Sequence, residues 1–163
     1  MVKQGHVAEM LGVSQGTVSR WESGTHEPDA VQRERLIELI AARAGSNQDS
    51  ALRRLIERSN YPVHLVCDST HRLLAASASR VASWRTDLSE LMGRSLWPFA
   101  TGEIVCAEEG LLERGWFDRP YQRLEFHTGS NGRRDVPVPA SRLLWETLPL
   151  SDGRVGRLTT TLG

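Results

Sequence analysis

Hydrophobic residues recur along this chain in two rhythms, and the change between them falls near residue 60. Over residues 4–11, Val7, Ala8, Met10 and Leu11 share one face of a short helix. Gly12 stands where a glycine in the left-handed conformation commonly ends a helix, and Val13 turns back toward the apolar face. Ser14 is placed to cap a second helix, its hydroxyl accepting a backbone N–H two or three residues on. In that helix Val18 and Trp21 lie three apart on one side, which leaves Gln15, Gly16, Thr17, Ser19 and Arg20 more exposed. Pro28 and Asp29 mark the start of a third helix over 30–44, with Val31, Leu36, Ile37, Ile40 and Ala41 as a partly apolar face. The polar run 45–50, Gly-Ser-Asn-Gln-Asp-Ser, predicts a break and a linker. Residues 51–59 then form a short amphipathic helix with Leu52, Leu55 and Ile56 on one side. Two readings of it stand side by side: attachment to the next core, or contact with a second copy of the chain.

From Pro62 the period shortens. Residues 63–68 and 73–78 are apolar stretches joined by Ser69-Thr70-His71-Arg72, the pattern of a β-hairpin. Residues 79–92 read as helical and end at Gly93, and 107–112 as another short helix. Strands are expected at 123–127, 143–150 and 155–162, the last two joined through Asp152-Gly153. The fold class is α followed by α+β, with divisions at 1–45, 46–60 and 61–163.

The composition of the 163 residues, 39% hydrophobic and 25% charged, is that of a globular protein, and no apolar run is long enough for a membrane span. With no secretory pattern at the start and two isolated cysteines, Cys67 and Cys106, the cytoplasm is the expected location. Net charge is zero. The first 45 residues hold five basic side chains (Lys3, Arg20, Arg33, Arg35, Arg43) against six acidic ones (Glu9, Glu22, Glu27, Asp29, Glu34, Glu38). Phosphate neutralisation supplies most non-specific affinity for DNA, so a neutral module must gain by placement or by dimerisation.

The second helix nevertheless has the division a groove reader needs. Its apolar stripe docks it, and its other face offers Gln15 for adenine, Arg20 for guanine or a phosphate, and Thr17 for polar atoms or a thymine methyl. Gly16 removes bulk where the helix approaches a groove. A helical hairpin with a solvated polar face would share these spacings. The segment KQGHVAEMLGVSQGTVSRWESGTHEPD resembles the Cro/C1-type (XRE-like) helix-turn-helix family. By that resemblance Gln4 is a phosphate contact, Ser14, Gln15, Gly16, Thr17, Ser19 and Arg20 form the groove-facing set, and His26, after Gly24, lies in a loop near the backbone. Glu22 is implied as a structural acid, and Ala8, Leu11, Val13, Val18 and Trp21 as the core. Members of that family carry a further helix of about a dozen residues ahead of the Gln, where this sequence has Met1–Lys3. The expectation is therefore an upstream start or a core completed from elsewhere.

Strand-strand, helices, then three strands is similar to the PAS-like sensor family. LVCDSTHRLLAASASRVASW resembles its opening hairpin and helix, with Asp68 at the turn and Ser77 or Ser79 where an Asn often follows the second strand. Leu91, Gly93 and Leu96 resemble its Leu-x-Gly-x-x-Leu break. The resemblance implies a five-stranded antiparallel sheet beside short helices with a small cavity between. No cofactor is expected: an Asn-Cys-Arg flavin motif is absent, Cys67 and Cys106 read as buried thiols, and His64, His71 and His127 occupy strand or turn positions ill-suited to haem ligation. Trp84, Trp97, Trp116 and Trp145 fall in this region. Core filling is the simplest use of such area, and Trp84, Trp97, Trp116 and Phe117 are the candidates for a ligand or partner surface.

The function expected is a transcriptional regulator, with double-stranded DNA and a second copy of itself as partners and an unidentified small ligand or protein acting through the PAS-like domain. The alternative is a signalling or scaffold protein whose incomplete helix-turn-helix does not bind DNA. With no nucleophile–base pair, metal cluster or phosphate loop in the pattern, no enzymatic activity is expected.

Overall fold

The structure, a computed structural model, describes residues 4–163, and of residues 40–46 the backbone alone. Lys3 and Arg43, and the Ile40 and Ala41 side chains expected on the third helix's apolar face, lie outside the described residues. The chain divides into two compact units, Met1–Ser46 and Asn47–Gly163.

In the first unit, α1 (Gln4–Leu11) and α2 (Gln15–Glu22) form as the pattern predicts. Gly12 has φ +66°, and the Val13 N–H reaches back to the Ala8 carbonyl (3.0 Å), so the turn satisfies a carbonyl that the end of α1 leaves open. Ser14 caps α2 by accepting from the Thr17 N–H at 3.2 Å. Ala8, Leu11 and Val18 are buried between the two helices. The next helix, α3 (Ala30–Glu57), starts from a reciprocal cap: the Gln32 N–H donates to the Asp29 carboxylate (2.8 Å) and the Asp29 N–H to the Gln32 side-chain oxygen (3.0 Å).

The break expected at 45–50 does not occur, because the helix backbone runs through it. Gly45 costs a helix interior only about 1 kcal/mol relative to alanine, and none of the following polar residues is a proline.

The second unit is built on β1 (Val63–Cys67), β2 (Leu73–Ala76), β3 (Arg123–Thr128), β4 (Ser141–Pro149) and β5 (Val155–Thr161). All neighbours are antiparallel, in the order β2-β1-β5-β4-β3, so the last strand in the sequence lies at the centre beside the first. Between β2 and β3 the chain makes α4 (Ala78–Ser83), α5 (Leu88–Leu91), a 3-10 turn at Trp97–Phe99 and α6 (Gly102–Glu109). The single helix expected over 79–92 is thus two, since the chain leaves the helical conformation at Trp84 and restarts after Asp87. The helix expected at 107–112 begins earlier, where the Thr101 hydroxyl caps it by accepting from the Ile104 N–H (3.1 Å).

Side chains alternate between the two faces of the sheet. Val63, Leu65 and Leu158 point to one face and pack with Leu52 and Ile56 of α3 and with Leu150. Val66 points to the other face, into a cluster with Leu73, Trp84, Leu91 and Val136. Because Leu52 and Ile56 are part of the core, the apolar side of residues 51–59 serves attachment, while Leu55 stays 72% exposed. Truncating the buried Ile56 to alanine should therefore cost about 2–5 kcal/mol in the urea unfolding free energy of this unit. Leu55→Ala should stay within about 0.5 kcal/mol. Equal losses at the two positions would contradict this packing.

Candidate nucleic-acid surface and buried cavity

On α2 the exposed residues are Gln15, Gly16, Ser19, Arg20 and Glu22, with Thr17 and Trp21 half-buried and Val18 buried. The groove-facing candidates thus share one helix, and His26 is exposed in the loop that follows. Several are already engaged. The Ser14 hydroxyl holds the Thr17 N–H and lies 2.8 Å from the Thr17 hydroxyl. The Gln4 amide donates to Glu22, which ties the start of α1 to the end of α2 and gives Glu22 the orienting role its position implies. Arg20 folds back so that Nε donates to the Gly16 carbonyl at 3.2 Å, a bond that uses neither Nη atom. A Cβ at position 16 would meet only the Ser14 hydroxyl, at 3.8 Å, so packing within this unit does not require the glycine. The Trp21 indole N–H is buried without a partner among the described residues.

The second unit encloses a cavity of about 90 Å³ between the sheet and the helices. Strand alternation sends His64 and Val66 of β1, Leu143 and Trp145 of β4, and Arg157 and Thr159 of β5 to its floor. Trp84, Trp97, Phe99, Ile104 and Arg80 form much of the remaining wall.

Of the four aromatic residues singled out in the sequence, Trp84 and Trp97 therefore meet at one cavity. Trp116 does not join them: it is 3% exposed and packs with Leu111 and Trp145. Phe117 is turned outward, 62% exposed. Cys67 is buried as expected, but Cys106 is exposed on α6. Four polar lining residues, His64, His71, Arg80 and Arg157, carried no local signal of this role, because what assembles them is pairing between segments far apart in sequence.

Arg157 is 1% exposed and organises the charged end of the cavity. Its Nε donates to Asp68 at 2.6 Å, and its two Nη atoms donate to the two carboxylate oxygens of Glu108. Its guanidinium lies 4.5 Å from the Trp145 ring centroid and 5.5 Å from that of Trp116, a stacking that favours the cation further. The Trp116 N–H shares the Asp68 oxygen at 3.2 Å. Glu108 also accepts from Nε2 of His71 at 3.2 Å, which fixes the proton on that nitrogen, and the His71 ring stacks on Trp97 with centroids 4.7 Å apart. His71 is held at φ +57°, a left-handed conformation costly for a residue with a Cβ.

Burial works against ionisation of Glu108, but the hydrogen bonds from His71 and Arg157, together with the Arg157 charge, prevail and hold its carboxyl at about 2. His64 is also lowered, which in its case favours the uncharged form. Burial first, and then the charge of Arg80, keep it well below the ordinary histidine range, so it is neutral in the fold.

A helix-turn-helix family model matches residues 2–32. Comparison with curated protein sequences returns no match. Solved structures similar to the chain include the PAS domain of an HTR-like protein from Haloarcula marismortui, 21% identical, covering 71% of this chain and 96% of that one at a TM-score of 0.45. Another is the PAS domain of BvgS from Bordetella pertussis, 15% identical, covering 70% of this chain and 84% of that one at a TM-score of 0.47. The N-terminal segment is an XRE-type helix-turn-helix, and the remainder, by strand order and helix placement, has a PAS-like fold. Among the described residues no helix is long and apolar enough to cross a membrane.

His64 and Glu108 act in separate acid windows. An unfolded chain protonates His64 near pH 6.5 and the folded chain does not, so this stabilisation is complete above that pH and is lost below it, by up to about 1.4 kcal/mol per pH unit. Glu108 is depressed from 4.5 to about 2, so its contribution is lost only as pH falls through that lower range. Urea unfolding of the full chain, followed by tryptophan fluorescence, should show His64→Phe flattening the slope between pH 6.5 and 5 and leaving the loss below pH 4.5. An unchanged slope in the upper window would contradict a neutral buried His64.

Proposed function

We propose that this chain is a DNA-binding transcriptional regulator in which α2 reads a groove and the PAS-like unit, residues 61–163, modulates dimerisation or DNA affinity. The observation that carries the reading is the face of α2. A buried Val18 and a capped start hold the helix, while Gln15, Gly16, Ser19 and Arg20 present donors and a bare backbone patch outward. Gly16 adds to this. It costs helix stability, and nothing packed around it within the unit demands the missing side chain, as expected where an outside surface must come close.

In this reading Gln4, Thr17 and His26 contact the backbone or base edges and Ser14 contributes through the cap it forms. Arg20 swings from the Gly16 carbonyl onto a guanine or a phosphate. A single short helix reads few bases, so two copies on paired half-sites supply affinity that the near-neutral module lacks. A ligand or protein partner of the second unit would act by changing the spacing of the two reading helices. That charge balance also supports a second reading, in which the N-terminal module no longer binds DNA and the PAS-like unit serves protein contacts in signalling.

Selection of duplexes from a random pool, followed by gel shifts over a salt series, separates the two. The regulator reading expects a selected sequence and an affinity that falls steeply with salt. Arg20→Ala and Gln15→Ala should each cost about 1–3 kcal/mol of binding to that sequence. Gly16→Ala should raise thermal stability, by up to about 1 kcal/mol, yet weaken DNA binding. A chain that selects no duplex at low ionic strength would overturn the regulator reading in favour of the second.

A further inference from the structure

The two buried arginines of the cavity wall are neutralised very differently. Arg157 holds two carboxylates. Arg80, only 7% exposed, has none among the described residues. Both of its side-chain hydrogen bonds run from Nη2, to the Pro62 carbonyl (2.9 Å) and the Thr161 hydroxyl (2.8 Å), and both acceptors are uncharged. Its Nε is buried without a partner. A buried guanidinium with no anion opposite it is a costly arrangement. Nearby His64 is unable to supply one: it is itself neutral, and its Nδ1 is also buried without a partner.

We propose that the cavity binds a small monocarboxylate, its anionic head against the Arg80 guanidinium and its hydrocarbon body against Trp84, Phe99, Val138 and Leu143. The charge is set by Arg80, the one lining arginine with no carboxylate of its own among the described residues, which balances a single negative charge. A phosphate dianion would need a second cation, and Arg157 is already committed to Asp68 and Glu108. The hydrocarbon body follows from the apolar remainder of the wall, and the size from the volume. An apolar cavity of about 150 Å³ holds benzene, so on that scale 90 Å³ takes about four non-hydrogen atoms, and a few more if Trp97 at the rim turns aside. His64 offers the second carboxylate oxygen an uncharged ring N–H from the sheet side.

This site rests on the reading of the second unit as a sensor, but not on whether the first unit binds DNA. The test titrates the full chain with sodium butyrate and, separately, with butyramide, its uncharged isostere. It follows tryptophan fluorescence, the unfolding midpoint and the arginine Nε–H signals in ¹H–¹⁵N spectra. Butyrate should bind saturably, move one arginine Nε–H signal that Arg80→Lys removes, and raise the midpoint. Butyramide should bind at least tenfold more weakly, and sodium phosphate and chloride at equal ionic strength should leave the signals in place. Arg80→Lys should keep a preference for butyrate and Arg80→Met should abolish it; if the methionine variant does not fold, the butyrate-to-butyramide ratio on the unsubstituted chain decides. Equal affinity for acid and amide, no saturable binding, or an equal response to phosphate would overturn the proposal. A chain that selects butyrate yet binds no duplex would remove the regulator reading and leave this site standing, and duplex binding without carboxylate selectivity would do the reverse.

Discussion

The PAS-like unit depends on one buried arrangement of charge, Arg157 held between Asp68 and Glu108. These residues come from the central strand, the first hairpin and the last helix before β3, so the cation fastens three parts of the fold that share no local sequence. Taking a guanidinium out of water is tolerable only when its donors and its charge are both answered. Here Nε and both Nη atoms meet carboxylate oxygens, and the flat faces meet Trp116 and Trp145. The tryptophans do more than fill space: Trp116 spends its N–H on the same Asp68 oxygen, and the Trp145 ring also meets the edge of Phe126. Replacing Arg157 would leave the Asp68 and Glu108 carboxylates without the cation they share.

The same arrangement decides what the cavity can be. Its charged end is already internally paired: Glu108 and His71 are tied up, and Trp97 stacks on the His71 ring at the rim. The opposite side, where Arg80 and His64 lie, is the part left unanswered. Chemical selectivity is therefore concentrated on one side of a wall that is otherwise mostly apolar.

How much of this could be read from the sequence follows the range of the interactions concerned. Gly12, Ser14 and Thr101 act within a few residues of themselves, and the turn and caps they make follow from side-chain chemistry alone. Of these, Gly12 and Ser14 are legible, whereas Thr101 is not, because no strong apolar period follows it. The strands were legible from short apolar stretches bounded by turn residues, even for β3, where burial alternates along the strand. The helix through 45–50 was not, since a polar run without proline is compatible with either helix or coil. Least legible was the cavity. Arg157 and Asp68 are 89 positions apart, Arg80 and Thr161 are 81 apart, and only the β1–β5 pairing brings these ends together. His64 and His71 occupy strand and turn positions that give no local sign of a ligand role, yet both lie in the wall of a small cavity that two arginines also line. The polar face of α2 was visible at once, because helical spacing alone separates it from Val18.

The Ser77 hydroxyl, with no exposed surface, donates to the Tyr61 carbonyl, accepts from the Val63 N–H and also accepts from the Arg80 N–H at the start of α4. One oxygen thus acts as a rivet through three layers: the first residues after α3, the head of β1, and the helix that carries Arg80. Asparagine at this place would have a longer arm and two separate ends, whereas a serine has no slack. A displacement of α4 must therefore either drag Tyr61 and Val63 with it or shear the rivet, and the Arg80 bond to the Pro62 carbonyl pulls on the same stretch, so motion at the cavity wall is passed to the residues that follow α3.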